Sequence, residues 1–207
     1  MDYRNFEKQL TKLLSKPLPG LEIQMKMAPG FRKDFEDNLP QPRNSAVLIL
    51  FYPYRNSIYV PFIEKTKYEG VHSGQISFPG GKYEETDANL EETALRESQE
   101  EIGTDSKSIK ILGSLTPLHI QVSQFLVFPY IGITESLPNF VANPTEVERI
   151  IPIDIQKIQN SEIKIETVIV RNSKIETPIF SFPQTKIWGA TAMILNELRT
   201  VISEIRL

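Results

Sequence analysis

One stretch, Ser77–Gly103 (SFPGGKYEETDANLEETALRESQEEIG), constrains the fold more than any other part of the chain. It opens on a few apolar residues that read as the end of a strand, turns at Gly80-Gly81 and passes through a polar loop. From about Asp87 the pattern is helical. Gly103 ends it, because glycine reaches the left-handed backbone region that closes helices.

On that helix Glu97 and Glu101 stand four apart, and Glu97 and Glu100 three apart, so the three carboxylates project toward one region of surface. Leu95, Ser98 and Ile102 follow the same spacing on another face and can dock it against a sheet. The acids crowd the helix C-terminus, where the dipole disfavours anions, and the Glu97–Glu101 repulsion alone costs about 0.2–0.5 kcal/mol. Arg96 offsets part of this through Glu100, and a divalent cation would offset the rest. Oxygen-only donors suit Mg²⁺ or Mn²⁺ rather than zinc. Helical spacing by itself also fits a solvated acidic face.

At 207 residues and a formal net charge of −3, the chain can bury a substantial core and lacks the basic field of a general nucleic-acid binder. It holds no cysteine, which excludes disulfides, thiolate catalysis and Cys-based zinc sites, and its two histidines are His72 and His119. The first residues, MDYRNFEKQLTKLL, are too charged for a signal peptide, and no apolar run approaches the roughly 18 residues that span a membrane. The expectation is a cytoplasmic protein with no membrane or nucleic-acid partner.

Phe6, Leu10, Leu13 and Leu14 mark a short amphipathic helix ended by Pro17 and Pro19. Residues 1–43 read as this helix plus an extended arm, packed on a main domain of residues 44–207. Ala46–Tyr52 and Ile58–Ile63 are strands about a turn at Pro53–Ser57. Ile109–Leu115 and Gln124–Ile131 follow as strands, with a polar loop, Thr116–Ser123, between them, and Pro129 points to an edge or a bulge. Phe140-Val141 reads as a short strand and Ile151–Ile158 as a short helix or turn. Ile163, Ile165, Thr167 and Ile169 alternate with Lys164, Glu166 and Val168, the pattern of a half-buried strand in a hairpin with Glu176–Phe182. Trp188 reads as a core anchor, and Met193, Ile194, Leu198, Val201, Ile202 and Ile205 form the stripe of a terminal helix. This order predicts an α+β fold, an α/β/α sandwich with a mixed β-sheet.

Gly81 followed by Arg96-Glu97-Ser98-Gln99-Glu100-Glu101-Ile102-Gly103 resembles the signature of the Nudix hydrolases, closely in its second half. In the first half the spacing is one residue longer, the expected leading glutamate falls on Ala88 beside Asp87, and Ser98 stands where an aliphatic residue is usual. A lengthened loop of this kind is similar to that of the coenzyme A pyrophosphatase branch. His72-Ser73-Gly74-Gln75-Ile76-Ser77-Phe78-Pro79-Gly80-Gly81 resembles that branch's second motif, with Gly70-Val71 replacing a frequent Leu-Arg. Ile187-Trp188-Gly189-Ala190-Thr191-Ala192 is similar to the start of its last helix.

The resemblance implies metal-dependent hydrolysis of the pyrophosphate bond of coenzyme A or acyl-CoA, giving 3′,5′-ADP and (acyl-)phosphopantetheine. Another nucleoside diphosphate derivative, such as ADP-ribose or a dinucleotide, is the alternative substrate. A non-catalytic nucleotide-binding module is the rival of another class. Glu97, Glu100, Glu101 and the Gly81 carbonyl would then hold Mg²⁺ or Mn²⁺, and Arg96 would keep a ligating glutamate in place. Glu146, at the start of a segment similar to one leading into a short helix, is an extra ligand or base. Lys65, His72, Gln75 and His119 would face a small CoA-like nucleotide, in a monomer or homodimer. Each also has a plain structural reading: Lys65 as an edge lysine, Gln75 as a partner for loop backbone groups, Glu146 as a capping acid, and the histidines as structural side chains.

Overall fold

The computed structural model describes residues 2–30, 41–66, 75–170 and 173–205. At its centre is β1 (Arg43–Tyr54), whose apolar run is buried on both faces. Ala46, Leu48 and Leu50 pack toward one side with Ala94, while Ile49 and Phe51 pack toward the other with Phe6 and Leu10. That is the period-2 alternation of a strand covered twice.

β1 pairs in parallel with β7 (Phe125–Ile133) and antiparallel, across a two-residue turn, with β2 (Ser57–Lys65). Shorter strands complete this sheet: β3 (Ile76–Ser77) and β8 (Val147–Asp154) on β2, β4 (Gly80–Lys82) on β1, and β5 (Lys110–Ser114) and β6 (Leu118–Ile120) on β7. One helix, α3 (Leu90–Ile102), covers the face of Ala46 and Leu48. α1 (Tyr3–Leu14), α2 (Gly20–Met25), α4 (Ile155–Gln159) and α5 (Gly189–Ile202) belong to the core on the opposite face. A second sheet of β9 (Ile163–Val170), β10 (Ser173–Phe182) and β11 (Thr185–Trp188) delivers Phe180 and Ile187 to that core. The result is the expected α+β sandwich around a mixed sheet. Among the described residues no helix is long and apolar enough to cross a membrane.

Several local expectations are corrected. The helix that carries the acids starts at Leu90, not Asp87, because Asn89 caps it and the Asp87 carboxylate is engaged in the preceding loop. Pro129 lies within β7, inside the sheet. Its carbonyl accepts from Leu115 N (2.8 Å), so its missing N–H falls on the same side, at the break between β5 and β6. The segment read as a polar loop contains β6. Phe140-Val141 forms no strand, and of Ile151–Ile158 the first half ends β8 while the second half is the expected short helix, α4. The apolar row of β9 runs off the core: Ile163, Ile165 and Ile169 are 42%, 65% and 72% exposed. Ile163 stands opposite Phe180, at the core end, but Ile165 faces Pro178 and Ile169 faces Lys174, farther out along the hairpin.

A buried carboxylate ties α2, a helix within the stretch expected to be an extended arm, to this body. Glu197 of α5 is fully buried and accepts from Gly20 N (3.0 Å), Gln24 Nε2 (2.7 Å), Thr116 N (3.2 Å) and Thr116 Oγ1 (2.6 Å). Four donors saturate the carboxylate, which makes its burial tolerable. Replacing it strands those donors. Glu197→Ala is expected to lower stability in urea unfolding by about 2–3 kcal/mol; a loss under about 0.5 kcal/mol would show that the clamp carries little.

Candidate active site

The site begins with the bend Phe78-Pro79-Gly80-Gly81. Phe78 is buried with its ring centroid 4.6 Å from that of Phe62, and the Pro79 carbonyl accepts from Leu48 N at 2.8 Å. Gly80 has φ +153°, and a Cβ there would lie 2.3 Å from the Ala46 carbonyl oxygen. A Cβ on Gly81 would lie 2.3 Å from Glu97 Oε2. Only glycine lets β4 fit between β1 and the carboxylates of α3.

α3 is anchored at its start by Asn89, which accepts from Glu92 N (2.9 Å), while the Glu92 carboxylate accepts from Ala88 N (2.7 Å). Asp87 is buried just ahead of the helix. It accepts from Glu84 N (3.0 Å), Thr93 Oγ1 (2.8 Å), Arg96 Nε (2.7 Å) and Arg96 Nη2 (3.0 Å). The Arg96 guanidinium holds this carboxyl well below the usual carboxylate range. Arg96 also donates to the Lys82 carbonyl (3.0 Å), Glu97 (3.0 Å) and Glu100 (3.1 Å). One side chain therefore links the loop, the glycine strand and two of the three acids.

The acids are graded by depth. Glu101 is fully buried and accepts from Lys65 Nζ (2.5 Å) and Gly80 N (2.8 Å). Burial pushes its pKa up, opposed by Lys65 and the Gly80 N–H and reinforced by the charge of Glu146. Glu97 is half-buried, and its pKa is also raised, first by burial against the pull of Arg96, then by Glu101 and Glu100. Glu100 is exposed. Among the described residues no three acidic side chains are gathered into a ready metal cage, and Lys65 and Arg96 supply the positive charge here. The donor chemistry nonetheless fits a hard divalent ion. It is all oxygen, and two of its carboxylates carry charge that burial disfavours.

Lys65 and Gln75 lie with Gly80 and Gly81 on the wall of a cavity of about 340 Å³. The Gln75 carbonyl also accepts from Lys65 N at 3.0 Å. The far wall is mostly apolar and includes Val122, Phe125, Ile194 and Trp188. Trp188 is thus not the buried core anchor expected: it is half-buried, at the start of α5, where Gly189 and Ala190 also line the cavity. Glu146 is exposed on a turn that opens β8, not a helix, and its carbonyl accepts from Thr66 N at 3.0 Å. His119 is half-buried on β6 opposite Leu126 and does not line the cavity, although the next residues, Ile120–Ser123, do. His72 lies outside the described residues. The residue that sequence reasoning undervalued is Asp87. Its signal was its place beside the shifted position of the leading glutamate.

Because the Asp87 pKa is depressed on folding, its stabilising contribution is full above the ordinary carboxylate range and is lost as pH falls through the depressed value. Asp87→Asn should therefore lower the melting temperature at neutral pH, and the gap from the parent should close in strong acid. Calorimetry across the acid range checks this; a gap independent of pH would contradict it.

Comparison with known proteins agrees with this geometry. A family model of the NUDIX domain matches residues 42–165. The chain is 34% identical over 134 residues to a protein named uncharacterized Nudix hydrolase NudL from Pectobacterium atrosepticum, covering 64% of this chain and 69% of that one. It is 27% identical over 188 residues to the NudL of Yersinia pestis, covering 84% and 94%. Two solved structures share the fold: the Nudix hydrolase RenU of M. smegmatis (TM-score 0.54, 14% identity, 87% of this chain and 96% of that one) and the NUDIX domain of Shewanella oneidensis NrtR complexed with ADP ribose (TM-score 0.53, 12% identity, 82% and 95%). With the family pattern spanning most of the central sheet and all of α3, the chain belongs to the Nudix family and is a Nudix hydrolase.

Proposed function

We propose that the chain is a Mg²⁺- or Mn²⁺-dependent pyrophosphohydrolase that cuts coenzyme A or acyl-CoA into 3′,5′-ADP and (acyl-)phosphopantetheine. The observation that carries this reading is the half-buried Glu97 and the buried Glu101 packed against Gly80-Gly81, two glycines that line a largely apolar cavity. The charged end suits a diphosphate. The apolar end suits a substrate with a long, weakly polar arm.

In this reading Glu97, Glu100, Glu101 and the Gly81 carbonyl hold the ion. When bound, Mg²⁺ or Mn²⁺ neutralises charge on the diphosphate and lowers the pKa of water. The chain's own groups do the rest. Arg96 fixes Glu97 and Glu100 from outside the substrate path, bonded at its other edge to Asp87. Lys65, on the cavity wall, presents its ammonium to the diphosphate. A carboxylate with a raised pKa is a better proton acceptor at neutral pH than an ordinary one, so the proton of the attacking water goes to one of these acids, with Glu146 beside Glu101 as the other acceptor. Gln75 and, by the family resemblance, His72 would border the substrate, and His119 would act through the strand leading to Ile120–Ser123. The enzyme's partner is a small nucleotide, its working form is the monomer or homodimer, and its place is the cytoplasm.

ADP-ribose or a dinucleotide is the second reading. It is favoured by the likeness in fold to the NrtR domain complexed with ADP ribose and by Gly70-Val71 in the upstream motif. A panel of CoA, acyl-CoA, ADP-ribose and diadenosine polyphosphates with Mg²⁺ or Mn²⁺ decides between them. Release of 3′,5′-ADP from CoA is the expected result; faster turnover of ADP-ribose would replace the substrate, and no turnover of any would favour a regulatory module. Glu101→Gln is expected to remove at least about 99% of turnover, the scale of losing one charged group from a preorganised site, with the melting temperature little changed. A variant within about twofold of the parent, a trivial fraction of the barrier, would exclude Glu101 from the reaction.

A further inference from the structure

Three of the large apolar side chains exposed on the described surface, Ile163, Ile165 and Ile169, sit on the single strand β9. Among the described residues β9 pairs only with β10 and forms the edge of its sheet. An edge strand offers backbone donors and acceptors to another strand, and natural proteins usually blunt such an edge with charge, proline or a bulge. β9 has no proline, and its pairing with β10 runs without a register shift. Its charged residues, Lys164 and Glu166, have opposite signs and flank Ile165.

We propose that β9 pairs with β9 of a second copy of the chain, antiparallel about a two-fold axis at Ile165, so that the two sheets become one. A two-fold interface must be complementary to itself. With the axis at Ile165, each Ile165 meets its counterpart, Ile163 of one copy meets Thr167 of the other, and Lys164 of one meets Glu166 of the other, twice by symmetry. Moving the axis to Lys164 or Glu166 sets like charges face to face. Glu166 already bonds Lys186 within its own chain (2.6 Å), so Lys164 of the other copy would extend a row of alternating charge. Each Ile165 gains the other as a lateral neighbour and each Ile163 gains Thr167, while Ile169 lies beyond the paired stretch. The partner is a second copy because the strand matches itself in charge, Lys164 against Glu166, with Ile165 against Ile165 at the axis. Val170 of β9 and Trp188 of β11 both line the cavity, so the joined sheet would also brace that wall.

Sedimentation velocity of the full chain in the micromolar range tests this, together with hydrogen exchange. The parent is expected to be a dimer with protected β9 amides. Ile165→Lys and Lys164→Glu, both on the exposed strand, are each expected to give a monomer with unchanged circular dichroism and rapid exchange in β9. A parent that is monomeric throughout, or a dimer that survives both substitutions, would overturn the proposal.

Discussion

The structure depends on how closely the end of α3 is pressed onto a glycine bend. Glu97 rests against the backbone of Gly81, and Glu101 is buried beneath Gly80 with its N–H as a ligand. A side chain at Gly80 would strike the β1 backbone, and one at Gly81 would displace the Glu97 carboxylate. The contact therefore fixes where β4, β1 and α3 lie, and it forces two carboxylates out of water. Their pKa values rise for that reason. Lys65 from one side and Arg96 from the other make this tolerable, and each is itself held in place, Lys65 at the end of β2 and Arg96 by the buried Asp87.

Function follows from the same arrangement. A sheet buried on both faces gives a rigid floor, α3 carries the acids over one end of it, and the cavity opens between that end and the start of α5. Charge is concentrated where a diphosphate would sit, while the remaining wall is left to apolar side chains. In the proposed function, such a division would separate the group being hydrolysed from the group being recognised. It lets specificity change through residues such as Val122 or Trp188 without disturbing Glu97 and Glu101.

Much of this was legible in the sequence because it is encoded locally. The apolar run Ala46–Tyr52 and the glycine stop at Gly103 each report a single element, and each matches the structure, while the 3/4 spacing of the acids puts them on one helix without gathering the three into a cage among the described residues. What was misread depends on partners distant in the chain. Pro129 lies inside the sheet because the break between β5 and β6 happens to fall beside it. The isoleucines of β9 alternate like a core strand, but the hairpin extends past the body they would pack on. Trp188 has the composition of a core residue and lines a cavity formed by segments far apart in the chain. Asp87 read as the start of the helix, although Arg96 nine residues on gives it a buried partner in the loop before it.

The proposed function requires the half-buried Glu97 and the buried Glu101 to be the place where a divalent ion binds. Electron paramagnetic resonance of Mn²⁺ titrated into the parent and into Glu97→Gln tests that directly, without substrate. The account predicts saturable binding in the parent that weakens at least about tenfold, or 1.4 kcal/mol, in the variant. Equal affinity in the two proteins would contradict it.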